Sequence, residues 1–187
     1  MELFTSSIDM ADEGREKADT TPVKITMKEL FIKIYIPFLV VGTVYQGQNI
    51  LIPLFLKLRF NSSDTFIGLA ATVDSIGNLL AAVPVGKAIE QFGTRNTQLW
   101  SLILFVVAFL VGGVMDIPEL VLVAKFLIGI GFCQYHLPQH TFLSGNVPVS
   151  MRGKAMAYTG GTHRVAGVIG PLLVALFASL LPLQNCF

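Results

Sequence analysis

The chain has 187 residues, of which 53% are apolar and only 13% are charged, and its formal net charge is +1. A soluble domain contains about 25% charged residues and needs a polar exterior, so this composition excludes an ordinary soluble enzyme. The small net charge provides no basic surface for nucleic acid, and no nucleic-acid partner is expected.

The N-terminal segment, residues 1–27, is polar and rich in acidic side chains. It contains no basic stretch followed by a short apolar one, so no signal peptide is predicted in it. We predict that these residues form a disordered acidic tail.

Long apolar stretches then recur up to residue 182, before a short tail of residues 183–187. A helix needs about 20 residues to cross the hydrocarbon core of a bilayer, and these stretches are too uniformly apolar for barrel strands. The sequence therefore predicts an all-α, polytopic membrane protein, in which residues 28–182 form a lipid-embedded bundle of five helices. The predicted spans are about 35–56, 65–86, 98–115, 119–141 and 155–181.

The flanking cations predict the orientation of the bundle. Nine Lys and Arg residues flank one side of the predicted membrane, and two flank the other. By the positive-inside rule the N-terminus lies in the cytoplasm, and five spans place the C-terminus on the opposite side. No sorting signal indicates which membrane this is.

Polar side chains inside the spans are the candidate functional residues. At 1.5 Å per residue they converge near the middle of the bilayer: Gln46, Asn49, Asp74, Lys125 and Arg164. An ionised side chain at that depth costs at least ~2.5–3.5 kcal/mol, so it should face protein or water and have a partner. Asp74 against Arg164 or Lys125 is the expected neutralisation.

Two interpretations of this group remain open. The structural one is an ion pair that holds the helices together, with the amides as interhelical hydrogen bonds. The functional one is a solvated pathway for a solute or a proton, which is favoured because apolar packing was available at each position. His136 and His163, taken singly, are interpreted as structural.

The spacing of Cys133, His136 and His140 puts three candidate soft-metal ligands on one helical face. Pro138 distorts that turn, and no fourth ligand is evident, so no metal site is predicted. The sequence also contains no nucleophile–base constellation and no glycine loop for phosphate. No cofactor and no enzymatic activity are expected.

Small residues within the fourth and fifth spans favour close helix packing. The candidates are Gly129, Gly131, Gly167, Gly170 and Pro171.

The connection between the second and third spans contains Gly86, Glu90, Gly93 and Arg95. In this position it resembles the loop signature of the major facilitator superfamily, G-x3-D-[RK]-x-G-[RK]-[RK], with Glu90 in place of the aspartate. The resemblance implies that Glu90 with Arg95 gates the cytoplasmic side.

Three further segments resemble patterns of the same family, in the family's order. Residues 125–131 are similar to R-x3-G-x-G with Lys for Arg, and residues 148–153 are similar to P-x3-R-G. Gly170-Pro171 is similar to the G-P element of antiporters.

The resemblance implies a secondary transporter, built from two six-helix halves that rock around a midplane site. Gln46 and Asn49 would contact an unidentified small solute. Asp74, Lys125 and Arg164 would set its charge preference or carry a coupled proton.

The chain ends just after the fifth predicted span, so the expected function is that of a partial transporter that is not competent alone. The alternative is a non-transporting, truncated membrane protein that associates with a full-length transporter or another membrane partner.

Overall fold

The computed structural model describes residues 27–114 and 117–180. In chain order the helices are α1 (Met27–Leu30), a π-helical turn (Phe31–Tyr35), α2 (Ile36–Phe60), α3 (Asp64–Val114), α4 (Pro118–Asn146) and α5 (Val149–Leu180). Within the described ranges there is no strand, which confirms the all-α prediction. Apart from Met27, which begins α1, both predicted tails lie outside the described residues.

Four helical stretches are long and apolar enough to cross a bilayer: Phe31–Phe60, Asp64–Gly112, Pro118–Asn146 and Val149–Ser179. Large apolar side chains are exposed along them; Leu79, for example, is 73% exposed and Val83 is 69% exposed. Such a surface suits the hydrocarbon of a membrane rather than water.

Helix α3 is broken at Gly93. Its 51 residues would extend about 77 Å as a straight helix, more than twice the thickness of a hydrocarbon core. At Gly93 the backbone has φ 79° and ψ 165°, a conformation that essentially only glycine adopts. The predicted loop over residues 86–95 is therefore helical on both sides of one glycine, which suffices to turn the chain.

The two arms of α3, residues 64–92 and 94–114, both lie along α4. In the first arm Ala70 clusters with Val121, and Val85 clusters with Cys133. Between these two contacts the residue numbers increase in both helices, so the first arm runs parallel to α4.

The second arm runs the other way along the same helix. Its Gln98 side chain donates to the carbonyl of Tyr135, whereas a Cβ on Gly112 would lie 3.1 Å from the Cβ of Ala124. The arms are thus antiparallel to each other, as the second and third predicted spans require. The number of membrane crossings stays a prediction.

The helices form two closely packed pairs, α3 with α4 and α2 with α5. A Cβ on Gly129 would collide with the backbone carbonyl of Asp74, and a Cβ on Gly170 would lie 2.6 Å from the carbonyl of Thr43. Glycine at these two positions lets the backbones of each pair touch.

The other predicted packing residues have looser surroundings. A Cβ on Gly131 would lie 3.4 Å from the ring of Phe105, and one on Gly167 would lie 3.4 Å from the amide of Gln46. Pro171 lies inside α5.

A π-helical turn precedes α2, in which Pro37 is the second residue. The Ile36 N–H donates to the carbonyl of Phe31, five residues back, which widens the turn. Proline lacks an N–H, and its ring would clash with the carbonyl four residues earlier in an α-helix. The wider turn accommodates that ring.

Candidate functional site

The seam between the two helix pairs contains a buried ammonium group. Lys125 of α4 is 2% exposed, and its Nζ donates 2.9 Å hydrogen bonds to Oε1 of Gln48 and Oδ1 of Asn49 on α2. Two neutral amide oxygens therefore solvate the charge, which replaces part of the hydration it loses on burial.

Asp74, on the first arm of α3, faces the same seam and is 6% exposed. The phenol of Tyr45 donates to its Oδ2 at 2.9 Å, whereas its Oδ1 is buried with no hydrogen-bond partner among the described residues. Asp74 and Lys125 attract each other electrostatically but make no direct ion pair. The seam thus holds opposite charges that are each bound to neutral groups.

The amides of α2 extend this network to α5. Asn49 Nδ2 donates to Gln46 Oε1 at 3.4 Å, and Gln46 Nε2 lies 3.2 Å from Nε2 of His163. An amide nitrogen only donates, so this ring nitrogen accepts, and the neutral histidine carries its proton on Nδ1. That Nδ1 is buried and has no partner among the described residues.

Two more histidines, His136 and His140, lie on α4 close to His163. Nε2 of His140 lies 3.0 Å from Nε2 of His136, and Nδ1 of His140 lies 3.1 Å from Sδ of Met156. A thioether only accepts, so His140 donates from Nδ1, and its Nε2 accepts a hydrogen bond from the Nε2–H of His136. The His136 ring lies 6.4 Å from the ring of His163.

Aromatic rings pack against these polar side chains. Tyr45 stacks on Phe132 with centroids 3.9 Å apart, and Phe132 stacks on His136 at 5.4 Å. Phe38, fully buried, lies 6.1 Å from the ring of His163. The rings pack around the polar side chains at this depth of the bundle.

We call the polar side chains of this seam the polar cluster. Hydrogen bonds join them in two sets, Tyr45 with Asp74, and Gln46, Gln48, Asn49, Lys125 and His163. Four of the five residues predicted at the midplane belong to the polar cluster. The fifth, Arg164, is exposed on α5 and makes no hydrogen bond or ion pair with another described residue. Lys125, rather than Arg164, is therefore the cation near Asp74.

Sequence reasoning missed Tyr45 and the bridging role of His163. Tyr45 counts as apolar in a hydropathy pattern, although it directly precedes the polar turn that begins at Gln46. Thr43, three residues before Gln46 on α2, donates to the carbonyl of Leu39 in its own helix.

The predicted gating residues lie at the turn of α3. Glu90 and Arg95 are both exposed and make no ion pair with each other. A Cβ added at Gly86 would meet nothing within 4 Å, so close packing does not require glycine there. Arg95 lines a polar cavity at this end of the bundle.

The three candidate metal ligands on α4 do not converge. Cys133 clusters with Ala81 and Val85 of α3, whereas His136 and His140 face the seam. Over residues 27–114 and 117–180, no group of three or more His, Cys, Asp or Glu side chains is arranged to hold a metal ion.

Comparisons with known proteins agree with this architecture. The family model described as Major Facilitator Superfamily matches residues 34–187. Azole resistance protein 1 of Saccharomyces cerevisiae is 26% identical over 121 residues, which cover 65% of this chain and 20% of the relative. Multidrug resistance protein MdtL of Vibrio parahaemolyticus is 24% identical over 127 residues, which cover 68% and 32%.

A third relative, the sialic acid transporter NanX of Escherichia coli, is 19% identical over 150 residues, which cover 78% of this chain and 37% of the relative. No solved structure matches. The chain spans about a fifth to two fifths of the length of these curated relatives. The family match, the apolar helices and the buried polar seam together identify the chain as an integral, multi-pass membrane protein that belongs to the Major Facilitator Superfamily.

Proposed function

We propose that this protein takes part in secondary active transport of a small organic solute, and that the polar cluster is the pathway of that solute and of a coupled proton. The observation that carries the proposal is the buried Oδ1 of Asp74, which has no hydrogen-bond partner among the described residues although Lys125 is near. A purely structural ion pair would be expected to close directly and satisfy both groups. An open acceptor beside a held cation is instead suited to receive a proton or a solute hydroxyl.

The proposed cycle uses protonation of Asp74. While the carboxyl group is ionised it attracts Lys125 and accepts from Tyr45. When it is protonated, that attraction disappears and the group becomes a donor. Lys125 then has no counter-charge, so its ammonium can bind an acceptor group of a solute beside the amide oxygens of Gln48 and Asn49.

The solute class follows from the same side chains. Amide, phenol and imidazole groups between aromatic rings suit a small organic molecule with hydroxyl, carbonyl or amine groups. Relatives named for azole resistance, multidrug resistance and sialic acid transport support the breadth of this class. In the proposed orientation the N-terminus lies in the cytoplasm.

The test is transport in proteoliposomes that contain the protein, with sialic acid, glucose and the cation ethidium as probes and an imposed pH gradient as the driving force. Absence of accumulation of every probe by the unsubstituted protein would contradict transport by this chain without a partner. We expect Asp74→Asn to abolish gradient-driven accumulation and to leave gradient-free solute exchange in place. Asp64→Asn is the matched control, because Asp64 is an exposed acid on the same helix whose partner is Lys57. Accumulation that survives Asp74→Asn at the level of the control contradicts the proposal.

A second candidate function, association with another membrane segment without transport, is favoured by Arg164. This guanidinium is exposed midway along α5, and a Cβ at Gly160 or Gly161 would meet nothing within 4 Å. A charge at that depth needs a protein partner or water. We expect Gly161→Cys to form a disulfide with a cysteine placed on a full-length transporter, whereas Leu79→Cys, on a lipid-exposed face, does not; equal cross-linking would contradict association through α5.

A further inference from the structure

A second polar site lies away from the polar cluster, at the end of the bundle where Gly93 turns the chain. It is a cavity of about 250 Å³ between the π-helical turn, the second arm of α3 and the C-terminal half of α4. Its polar wall comes from Lys33, Thr94, Arg95, Gln98 and Gln139, and its apolar wall comes from Ile34, Pro37, Tyr135 and Phe142.

The polar wall combines two cations with one unsatisfied acceptor. Lys33 and Arg95 are both exposed. Gln139 is only 4% exposed, and its Oε1 is buried with no hydrogen-bond partner among the described residues. A buried acceptor of this kind is unfavourable unless a donor reaches it.

The position of the cavity limits the class of ligand that it can bind. Lys33 is the third residue of the membrane-length stretch Phe31–Phe60, and Arg95 follows the turn between the two arms of α3. Both therefore lie where a helix meets the membrane surface, the depth of lipid phosphates. An amphiphile would place its phosphate on the cations and the glycerol that carries its acyl chains against Ile34 and Phe142.

We propose that this cavity binds the headgroup of an anionic phospholipid, with the phosphate between Lys33 and Arg95 and a headgroup hydroxyl donating to Oε1 of Gln139. Phosphatidylglycerol has the required chemistry, since it carries one negative phosphate and free hydroxyl donors. Phosphatidylcholine has neither a net charge nor a headgroup donor. A water-soluble phosphate ester shares the phosphate and hydroxyl chemistry but lacks the acyl chains.

Native mass spectrometry of the full chain, released from micelles with equal phosphatidylglycerol and phosphatidylcholine, tests the proposal. We expect one phosphatidylglycerol to be retained in preference to phosphatidylcholine. Each cation near an anionic group contributes about a fivefold factor, so Lys33→Gln with Arg95→Gln should lower retention about thirtyfold. Gln139→Leu should reduce the preference for phosphatidylglycerol over an anionic lipid without a hydroxyl donor.

The matched control removes two exposed cations that do not line the cavity, Lys87→Gln with Lys154→Gln. Its retention should change by no more than about twofold at physiological salt, because screening limits distant charges. Equal losses in both double variants would overturn the site in favour of general surface charge. Displacement of the lipid by millimolar glycerol phosphate would overturn the lipid assignment and identify a soluble ligand. Circular dichroism of each variant shows whether its helices are retained.

Discussion

The phenol of Tyr45 on α2 donates a 2.9 Å hydrogen bond to Oδ2 of Asp74 on α3, and the same ring stacks on Phe132 of α4. One side chain of α2 thus contacts both helices of the other packing pair. It also supplies the one hydrogen bond that Asp74 receives in the described part of the chain.

Removing that hydroxyl should destabilise the bundle without changing its packing. Tyr45→Phe keeps the stack on Phe132 but leaves both oxygens of the Asp74 carboxylate unpartnered, a loss of about 1.5–3 kcal/mol. Thermal unfolding in detergent measures the change. Tyr158→Phe, at an exposed phenol on α5, is the control, and equal destabilisation by both variants would show that the hydrogen bond contributes nothing.

Loss of the buried cation should be the most damaging single change in the seam. Lys125→Met leaves Asp74 as an uncompensated buried charge and removes both hydrogen bonds to Gln48 and Asn49, at a cost of about 3–5 kcal/mol.

A second variant separates charge balance from side-chain size. Lys125→Met combined with Asp74→Asn removes both charges, so it should recover a large part of the lost stability. Double-mutant thermal unfolding gives the coupling. If the two losses simply add, Lys125 and Asp74 do not interact.

Helix contact between α3 and α4 should depend on the missing side chain of Gly129. Gly129→Ala would drive a methyl group into the backbone carbonyl of Asp74, so the helices must separate, at about 1–3 kcal/mol. Gly145→Ala, on the same helix with nothing within 4 Å, is the matched control. Thermal unfolding of the two variants in detergent should show a loss of stability only for Gly129→Ala. Equal stability of both variants would mean that α3 and α4 are not in contact at Gly129.

The turn in α3 should require glycine for its backbone alone. At Gly93 a Cβ would meet nothing within 4 Å, so any cost of Gly93→Ala comes from φ 79° and ψ 165° and should be about 1–3 kcal/mol. Gly86→Ala, seven residues earlier in regular helix, should leave stability unchanged or raise it by about 0.5–1 kcal/mol. Comparable destabilisation by both substitutions would show that the chain does not turn at Gly93.

The apolar stretches of the sequence predict helices that are long and apolar enough to cross a membrane, because the mean hydropathy of a segment depends only on which residues it contains. The same pattern does not predict which cation faces Asp74. Arg164 and Lys125 are predicted at similar depth, and the choice depends on how each helix is rotated. Close contacts set that rotation, such as Gly129 against the carbonyl of Asp74, and they exist only after the helices have paired.

The histidines illustrate the same limit. Nothing in the spacing of the polar residues on α5 relates His163 to Gln46 of α2. The 3.2 Å contact between their nitrogens arises from a packing of helices more than a hundred residues apart in sequence. Periodicity within one helix cannot contain that information.

The π-helical turn at Phe31–Tyr35 changes the direction in which the side chains before it point. One extra residue in a turn shifts the angular phase of everything before it by about 100°. In the observed phase, Leu30 joins a cluster with Leu143 and Val147. Deleting a single residue between Phe31 and Tyr35 would restore a regular spiral and swing Leu30 away from that cluster, while the face from Phe38 onward kept its direction. The inserted residue of the π-helical turn thus sets the direction of the α1 side chains relative to those of α2.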